Sequence, residues 1–497
     1  MIPIEFRSQA EFDALRSYLE GAGFEEKAVL DRREIENFAE IENRLRSEPT
    51  IAEPVDNLDL LIFIFLEGGS AKRSRVEQML GSDFLSLLER FHLITEDPLR
   101  PEFIASTVVL APVMGIYCIS DRWWAPGGEE AKPPVDAVYP ASAPNTVRFL
   151  QLMPKHRCEA FLDLCCGTAI AALVAARNFA THAYAYDLAE RSTTFAEFNR
   201  RLNGIENCTI GTGDLYEPAG DQTFDYITAH PPYVPVLKPK FVFHDGGEDG
   251  ELILKRVIKE APKYLQPGGV LYTQSMATDR KSAPYERRIR EWLGSAEGEF
   301  DVAFFLRHET DPAHFAMRSL MRGTGDRADA MQWKSLFEEL QIRSLVYGIT
   351  AIQCHDSPRT PFTLRRNFSQ STGQKEIEMA LRWETLQGKG AATPLVLECP
   401  LRPQPAVRLS VSHQLGEDGW EETDHTIRTS YPFVMEYMTE PWIPYLLSRC
   451  DGKRTGLDHL KHLEEQGIVK PGTAPQEFAQ ALLLLVSGGF LCPPIPN

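Results

Sequence analysis

The stretch FLDLCCGTAIAALVAARN, residues 161–178, decides the fold of this protein. An apolar strand pattern comes first and ends at Asp163, small residues then predict a tight turn, and an Ala-rich helix pattern follows. A strand, a turn and a helix in this order direct backbone N–H groups and the positive end of the helix towards a ligand. The stretch therefore predicts a small-molecule site at the end of a strand in an α/β domain.

Strand and helix patterns alternate from about residue 160 to 355. Apolar strands separated by amphipathic helices are typical of a doubly wound, Rossmann-like sheet with helices on both faces. The sequence predicts seven strands, which are EAFLDLCC (159–166), HAYAYDL (182–188), NCTIGTGDL (207–215), FDYITAH (224–230), GGVLYTQSM (268–276), FDVAFFLRH (300–308) and LVYGITAIQ (345–353).

Both ends of the chain carry helix patterns followed by short strand patterns, which is the order of a winged-helix-like module. Such a module either docks nucleic acid or substrate through one helix, or packs against the central domain. We favour packing at the N-terminus because its candidate helix, FLSLLERFHL (84–93), carries one Arg and one His among apolar residues. The stretch TPLVLECP (393–400) has a β-like pattern. The predicted domains are a helical, winged-helix-like region at 1–130, the α/β domain at 131–370, and a β-containing linker with a winged-helix-like module at 371–497.

Composition limits the classes of protein that fit. The net charge of −18 argues against a surface that is basic throughout and coats nucleic acid. The nine cysteines form no CxxC pair, so we expect reduced thiols and no metal site. The N-terminus lacks the apolar core of a signal peptide, and no apolar run has transmembrane length. We therefore expect a soluble, cytoplasmic protein with no membrane partner, whose oligomeric state the sequence leaves open.

Acidic residues follow the first three strand patterns. Asp163 ends the first strand and Asp187 ends the second, 24 positions later, which fits a strand–helix–strand unit whose second acid reaches ribose hydroxyls. Asp214 follows the third strand, where it accepts an adenine amino hydrogen or is a plain turn residue. Asp163 and Asp187 are otherwise helix-capping or turn carboxylates. As a series, the three acids predict a nucleoside-containing ligand.

The turn CCGTA, residues 165–169, indicates which nucleoside ligand is bound. It lacks the GxGxxG pattern that close approach to a pyrophosphate requires, and its glycine is Gly167. A ligand without phosphates tolerates small residues such as Cys165 and Ala169 at this turn. This favours S-adenosylmethionine over a dinucleotide, with Cys165 and Gly167 beside the cofactor.

The tetrapeptide HPPY, residues 230–233, ends the fourth strand and is the most specific motif in the chain. With it, the sequence resembles the class I S-adenosylmethionine-dependent methyltransferases that carry an [N/D]PPY signature. The release-factor glutamine methyltransferases (HemK-like) and the small-domain rRNA methyltransferases match over about 135–355. The matching motifs are FLDLCCGTAIAAL (161–173), DL (187–188), GDLYEP (213–218), HPPYV (230–234) and GGEDGELILKRVIKEAPKYLQPGGVLY (246–272).

The resemblance implies a catalytic role for this tetrapeptide. In the family, the first residue and the carbonyl of the next accept hydrogen bonds from the target nitrogen, and the aromatic ring stacks on a planar target. Carried over, His230 and the Pro231 backbone are the acceptors and Tyr233 is the stacking platform. The chain departs from the family at His230, where the family has Asn or Asp, and at Cys165 and Ala169, where it has glycine.

These observations predict N-methylation of a planar amino group, either a protein glutamine or a nucleic-acid base. His230 orients such a nitrogen, or it acts as the base for a hydroxyl in a small-molecule methyltransferase, or the site binds the cofactor without turnover. The stretch HDGGEDG (244–250) is either a lid over the substrate or the start of a helix with Glu248 and Asp249 in its first turn; we favour the helix start.

Overall fold

The computed structural model describes residues 2–41, 44, 53–97, 100–122, 133–238, 240–321 and 326–494. The chain divides into two compact units, Met1–Ala277 with Ala316–Leu340, and Thr278–Phe315 with Gln341–Asn497. The domain boundaries proposed from the sequence stay a prediction. The Pro-, Gly- and Ala-rich composition of residues 125–145 predicts a linker into the α/β domain, and residues 125–132 of this stretch lie outside the described ones.

Helices and strands alternate through the middle of the chain, and helices dominate both ends. The helices are α1 (Gln9–Gly21), α2 (Glu26–Arg33), α3 (Asn57–Leu61), α4 (Arg73–Leu80), α5 (Ser82–Arg90), α6 (Pro144–Leu152), α7 (Ile170–Asn178), α8 (Glu190–Leu202), α9 (Leu252–Tyr264), α10 (Tyr285–Leu293), α11 (Pro312–Met321), α12 (Arg327–Glu339), α13 (Gln374–Gly388), α14 (Ala392–Glu398), α15 (Trp442–Arg449), α16 (Gly456–Glu465) and α17 (Pro475–Ser487). The strands are β1 (Ala71–Lys72), β2 (Ile94–Asp97), β3 (Arg100–Ser106), β4 (Val108–Val113), β5 (Ile116–Asp121), β6 (Cys158–Leu164), β7 (Ala180–Asp187), β8 (Cys208–Thr212), β9 (Phe224–Ala229), β10 (Leu265–Arg280), β11 (Phe300–Thr310), β12 (Ile342–Cys354), β13 (Thr363–Phe368), β14 (Arg408–Gly416), β15 (Gly419–Thr429) and β16 (Phe433–Thr439).

The first unit contains the parallel sheet that the opening stretch predicts. Its strands lie in the order β8-β7-β6-β9-β10, and each neighbouring pair is parallel. Chain order runs outward from β6 to β8 on one side and then returns to β9 on the other. The carboxyl ends of β6 and β9 therefore flank a topological switch point, which is where ligands bind in open α/β sheets.

The N-terminal part of this unit is tied to helix α8 through two buried asparagines. Strand β5 pairs with β4 on one edge. The side-chain amide of Asn199 hydrogen-bonds to the backbone of β5. It accepts from Ile119 N–H at 2.8 Å and donates to Ile119 C=O at 3.2 Å. Asn203 does the same for Tyr117, at 2.9 and 2.8 Å. Residues i and i+4 of a helix and i and i+2 of a strand have similar spacing, so the two amides take the place of a partner strand.

The second unit contains a mixed sheet in the order β14-β15-β16-β13-β11-β12. Strand β11 pairs antiparallel with β12 and parallel with β13, and the outer strands are antiparallel. Helices α14 to α17 pack over a separate apolar core of this unit. The β-like interpretation of TPLVLECP is wrong for residues 393–398, which belong to α14, whose buried Ala392 and Val396 follow helical spacing.

All seven strand patterns of the central region are strands in the structure, and the α/β class is confirmed. The count of seven in one sheet and the winged-helix-like arrangement of the ends stay predictions. None of the helices in the described ranges combines the length and the apolarity that a membrane span needs.

Candidate active site

A cavity of about 420 Å³ lies at the switch point between β6 and β9, within the size range of small-molecule sites. It is bounded by the ends of strands β6 to β9 and by the loops that follow them. Every site residue predicted from the sequence lines this cavity, namely Asp163, Cys165, Gly167, Asp187, Asp214, His230, Pro231 and Tyr233. The structure thus brings together residues that are up to 70 positions apart in the chain. Their roles stay predictions.

The CCGTA turn adopts a left-handed backbone at alternate residues. The φ angles are +55° at Cys165, +53° at Gly167 and +59° at Ala169. A left-handed conformation costs a non-glycine residue about 1–2 kcal/mol, which gives a physical reason for the glycines that the family has at the outer two positions. At Gly167 an added Cβ would have no atom within 4 Å, so this turn leaves open space beside its backbone.

Asp163 is a buried carboxylic acid at the foot of helix α7. Its Oδ2 accepts from Ala172 N–H at 3.4 Å, and its Oδ1 accepts from the Thr228 hydroxyl at 3.2 Å. Burial raises the pKa of Asp163 to about 8, against weaker opposing hydrogen bonds. The helix-capping role left open by the sequence is therefore present, and the residue lines the cavity as well.

Asp187 connects the second strand to the turn of the first. Its Oδ2 accepts from Gly167 N–H at 2.9 Å and its Oδ1 accepts from Ala189 N–H at 3.0 Å. Burial raises the pKa of this carboxyl, and the backbone hydrogen bonds oppose the rise. The Ser192 side chain and the Leu188 backbone also hydrogen-bond to this carboxylate, which lies in the cavity lining.

Asp214 lies at the cavity mouth in an ion pair that the sequence did not indicate. Arg256, from helix α9, donates to its Oδ2 at 2.8 Å. Both side chains are partly exposed, so the pair contributes little to stability. Its hydrogen bond to Asp214 raises the pKa of Arg256.

His230 stands at the end of β9 between two aromatic rings. Its ring centroid is 5.5 Å from that of Tyr233, at an interplanar angle of 17°, and 5.5 Å from that of Phe149. The Nε2 atom is buried and accepts no hydrogen bond from any described residue, nor donates one. Burial lowers the pKa of His230 to about 4, so the imidazole is neutral at physiological pH.

Tyr233 is held by residues outside any motif. Its hydroxyl accepts from Asn145 Nδ2 at 3.2 Å, and the Asn145 carbonyl accepts from Gln274 Nε2 at 2.8 Å. Sequence reasoning missed Asn145 and Gln274 because each is an isolated amide, one at the start of α6 and one within β10. Their contacts fix the ring that forms the cavity wall.

Comparisons with known proteins agree with this geometry. The methyltransferase small domain family model matches residues 144–299. A ribosomal protein uL3 glutamine methyltransferase of Bradyrhizobium diazoefficiens is 29% identical over 167 residues, covering 31% of this chain and 52% of that protein. A release factor glutamine methyltransferase of Thermodesulfovibrio yellowstonii is 32% identical over 125 residues, covering 23% of this chain and 45% of that protein.

A putative protein N5-glutamine methyltransferase of Methanocaldococcus jannaschii is 31% identical over 147 residues, covering 28% of this chain and 73% of that protein. This chain belongs to the HemK-like, small-domain family of class I methyltransferases. The resemblance seen in the sequence motifs is confirmed. The chain spans about half the length of the first two relatives, at 52% and 45%.

In this chain the loop after HPPY folds back along the cavity. Val234 N–H donates to His244 C=O at 3.1 Å, and Gly246 N–H donates to Val234 C=O at 2.9 Å. The loop passes so close to Tyr233 that a Cβ at Gly246 would lie 2.7 Å from the Tyr233 Cα, so a glycine is required there. The helix-start interpretation of 244–250 is wrong, since α9 begins at Leu252.

A second wall of the cavity is formed by residues 136–139, 141 and 242–245. Phe243 stacks on Tyr139 with ring centroids 5.5 Å apart, and Val242 N–H donates to Val135 C=O at 2.9 Å. The lining contains five aspartates, whereas Arg256 is the single lysine or arginine among the described lining residues. Sequence reasoning missed this wall because residues 133–141 looked like a linker.

Proposed function

We propose that this protein is an S-adenosylmethionine-dependent methyltransferase that methylates the side-chain amide nitrogen of a glutamine in a protein substrate. The observation that carries the proposal is the arrangement at the switch point. The strand-end acids Asp163, Asp187 and Asp214 line the same cavity as His230, whose buried Nε2 has no hydrogen-bond partner among the described residues. One cavity thus contains carboxylates of the kind that bind the cofactor and a histidine that can orient the nitrogen to be methylated.

The residues of the cavity fit S-adenosylmethionine. The open space at Gly167 admits a ligand close to the backbone, and the turn carries no phosphate-binding glycine pattern. Asp187 lines the cavity beside the Gly167 turn, where a strand-end carboxylate accepts hydrogen bonds from ribose hydroxyls. When bound, the cofactor supplies an electrophilic methyl group on a sulfonium.

The HPPY residues hold the acceptor amide. A neutral His230 ring with its proton on Nδ1 offers Nε2 as an acceptor for one amide N–H, and the Pro231 carbonyl accepts the other. Tyr233 forms a flat wall against the planar amide. A bound S-adenosylmethionine would supply the methyl group to the amide nitrogen with its sulfur as the leaving group, and the amide would lose one N–H proton to water. Alignment and hydrogen bonding at this nitrogen are the contributions of the protein.

The measured activity should show no titration of His230 near neutral pH. Because burial lowers the pKa of His230 to about 4, its charge state is constant between about pH 6 and 8. We expect kcat for glutamine methylation to lack an inflection near the ordinary histidine pKa of about 6.5. A kcat profile that rises through about pH 6.5 in the wild type, and not in His230→Asn, would instead support His230 as the base for a small-molecule hydroxyl.

The acidic lining favours a protein over a nucleic-acid acceptor. Nucleic-acid sites neutralise phosphates with lysine and arginine, whereas Arg256 here is already paired with Asp214 at 2.8 Å. The relatives named above are described as acting on ribosomal protein uL3 and release factor, which are proteins.

We also propose a cytoplasmic location, the seven-stranded methyltransferase sheet, and winged-helix-like end modules. The three-stranded sheet β1-β3-β2 beside α4 and α5 supports such a module at the N-terminus.

Asp187→Ala should weaken cofactor binding by about tenfold or more. The change removes the carboxylate that we propose for the ribose hydroxyls and leaves the Gly167 and Ala189 N–H groups without their acceptor, a loss of at least about 1.4 kcal/mol. Isothermal titration with S-adenosylmethionine measures it. Asp225→Ala is the matched control, because Asp225 also accepts from two backbone N–H groups, at 2.8 and 2.9 Å, but lies outside the cavity lining. Equal affinity in Asp187→Ala and wild type would show that Asp187 does not bind the cofactor.

The activity itself is tested with tritiated S-adenosylmethionine and a cell lysate separated into protein, RNA and small-molecule fractions. We expect label in the protein fraction. Mass spectrometry of peptides, prepared without acid hydrolysis, should place the methyl group on glutamine. Label confined to RNA or to small molecules would replace the proposed substrate by one of those classes. Cofactor binding without label in any fraction would support a non-catalytic binding protein.

A further inference from the structure

A two-stranded ribbon projects from the sheet of the second unit. It comprises residues 408–424, that is β14, the turn and the first part of β15, and we call it the 408–424 ribbon. Strand β16 pairs with β15 only at residues 425–429, beyond the ribbon. The side chains of 408–415 and 420–424 are exposed. A two-stranded hairpin with both faces in water is marginally stable by itself, so a covering partner would stabilise it.

One face of the ribbon carries exposed apolar side chains. Leu409, Val411 and Leu415 are at alternating positions of β14 and share this face with His413, whose cross-strand partner is Glu422. The pairing register shifts between Ser412 and His413. Leu415 pairs with Trp420 across the hairpin. The four apolar residues Leu409, Val411, Leu415 and Trp420 are 50%, 38%, 66% and 72% exposed, respectively. Leu415 and Trp420 thus form an exposed apolar pair next to the turn, and paired apolar side chains of this kind, unlike single scattered ones, mark an interaction surface.

The outer edge of the ribbon is open to strand addition. Strand β14 is terminal in its sheet, and in the described part of the chain no further strand pairs with it. Its sequence RLSVSHQLG has one charged residue, Arg408, and no proline. Natural edge strands are usually protected by lysines, prolines or short length. A nine-residue edge without these features presents unpaired backbone groups to a partner.

The charge of the ribbon decides which partner fits. Residues 409–427 contain five acidic residues and no lysine or arginine. All five acids are exposed and cluster around the turn, and they are Glu417, Asp418, Glu421, Glu422 and Asp424. A second copy of the ribbon or a nucleic acid would bring like charge to this surface, whereas a basic segment brings complementary charge.

We propose that the 408–424 ribbon binds an extended, basic segment of a partner protein. The segment adds as a strand along β14, its backbone pairs with the open edge, and alternate apolar side chains contact Leu415 and Trp420. Its lysines or arginines face the acidic turn. This binding function is separate from methyl transfer, and it does not depend on the proposed function.

The test uses the full chain and a fluorescein-labelled peptide of alternating lysine and valine, measured by fluorescence anisotropy. We expect saturable binding that weakens as salt is raised. A glutamate–valine peptide of equal length should not bind. A lysine–valine peptide that is N-methylated on alternate backbone nitrogens cannot pair along β14. Its affinity should be lower by at least about tenfold.

Variants locate the binding surface. We expect Leu415→Ser with Trp420→Ser to weaken peptide binding about tenfold or more. Met438→Ser is the matched control, because Met438 is 75% exposed on β16, outside the ribbon, and should bind normally. If the double variant is misfolded by circular dichroism, Glu417→Lys with Asp418→Lys replaces it and should lose the peptide through charge alone.

Equal binding by wild type and both ribbon variants would overturn the proposal, as would no binding of the lysine–valine peptide. Light scattering adds one further outcome. A dimer that the ribbon variants abolish, with no peptide binding, would show that a second copy covers the ribbon and would also overturn it. None of these measurements involves methyl transfer, so their failure leaves the proposed methylation intact.

Discussion

His230→Ala should abolish most turnover while leaving cofactor affinity nearly unchanged. The substitution removes the unpartnered Nε2 that we propose as the acceptor for the amide N–H, and it removes the ring between Phe149 and Tyr233. Losing one preorganised hydrogen-bonding group in a dry site typically lowers kcat by about 100-fold to 1000-fold. Single-turnover methylation of a glutamine peptide, with titration of S-adenosylmethionine alongside, separates kcat from cofactor binding.

His230→Asn is the informative companion variant. It restores the residue that the family has at this position, whose amide oxygen is an acceptor at all pH values. We expect this variant to retain substantially more activity than His230→Ala. His308→Ala, which alters an exposed histidine of the second unit, controls for histidine loss in general. Wild-type kcat in His230→Ala would show that HPPY does not orient the acceptor.

The sequence predicted the central site because its information is local. Each strand has a continuous apolar pattern, and each site residue stands at the end of one of these strands. Parallel strands bring their carboxyl ends to one edge, so Asp163, Asp187 and His230 meet in space whatever the intervening helices are. The tight turn was also predicted locally, from the small residues of CCGTA, but the left-handed φ angles at Cys165 and Ala169 were not.

Other features depend on contacts that are distant in the chain. Asn145 supports Tyr233 from 88 positions away, and no periodicity marks it. The stretch 133–141 has the composition of a linker, yet Tyr139 stacks on Phe243. TPLVLECP has β-branched and apolar residues that suit a strand, but burial of Ala392 and Val396 against the second unit's core selects a helix.

Helix α8 contains buried polar residues whose role the sequence pattern does not indicate. In ERSTTFAEFNRRLNG the asparagines look like part of a solvated helix face. In the structure Asn199 is 0% exposed and Asn203 is 5% exposed. Their amides satisfy the backbone of β5, and Asn199 Nδ2 also donates to the Thr168 carbonyl at 3.1 Å. One side chain thus joins the N-terminal strands to the turn at the candidate cofactor site.

Asn199→Leu should therefore destabilise the protein strongly. Leucine has nearly the same shape as asparagine but leaves the Ile119 N–H, the Ile119 C=O and the Thr168 C=O without this partner. Each unsatisfied buried polar group costs about 1–3 kcal/mol, so we expect the free energy of unfolding to fall by at least about 3 kcal/mol. Urea denaturation followed by circular dichroism measures the change.

The control for Asn199→Leu is Asn178→Leu. Asn178 is exposed at the end of α7, and its side chain donates to the Val174 carbonyl at 2.7 Å. A surface change of this kind alters stability by about 0.5 kcal/mol or less. If Asn199→Leu costs no more than Asn178→Leu, the amide pairing does not hold β5 to α8. A larger loss of unfolding free energy in Asn199→Leu, together with weaker S-adenosylmethionine binding at temperatures where the variant is folded, would show that Asn199 positions the turn through Thr168. A purely structural role would leave the affinity of the folded protein unchanged.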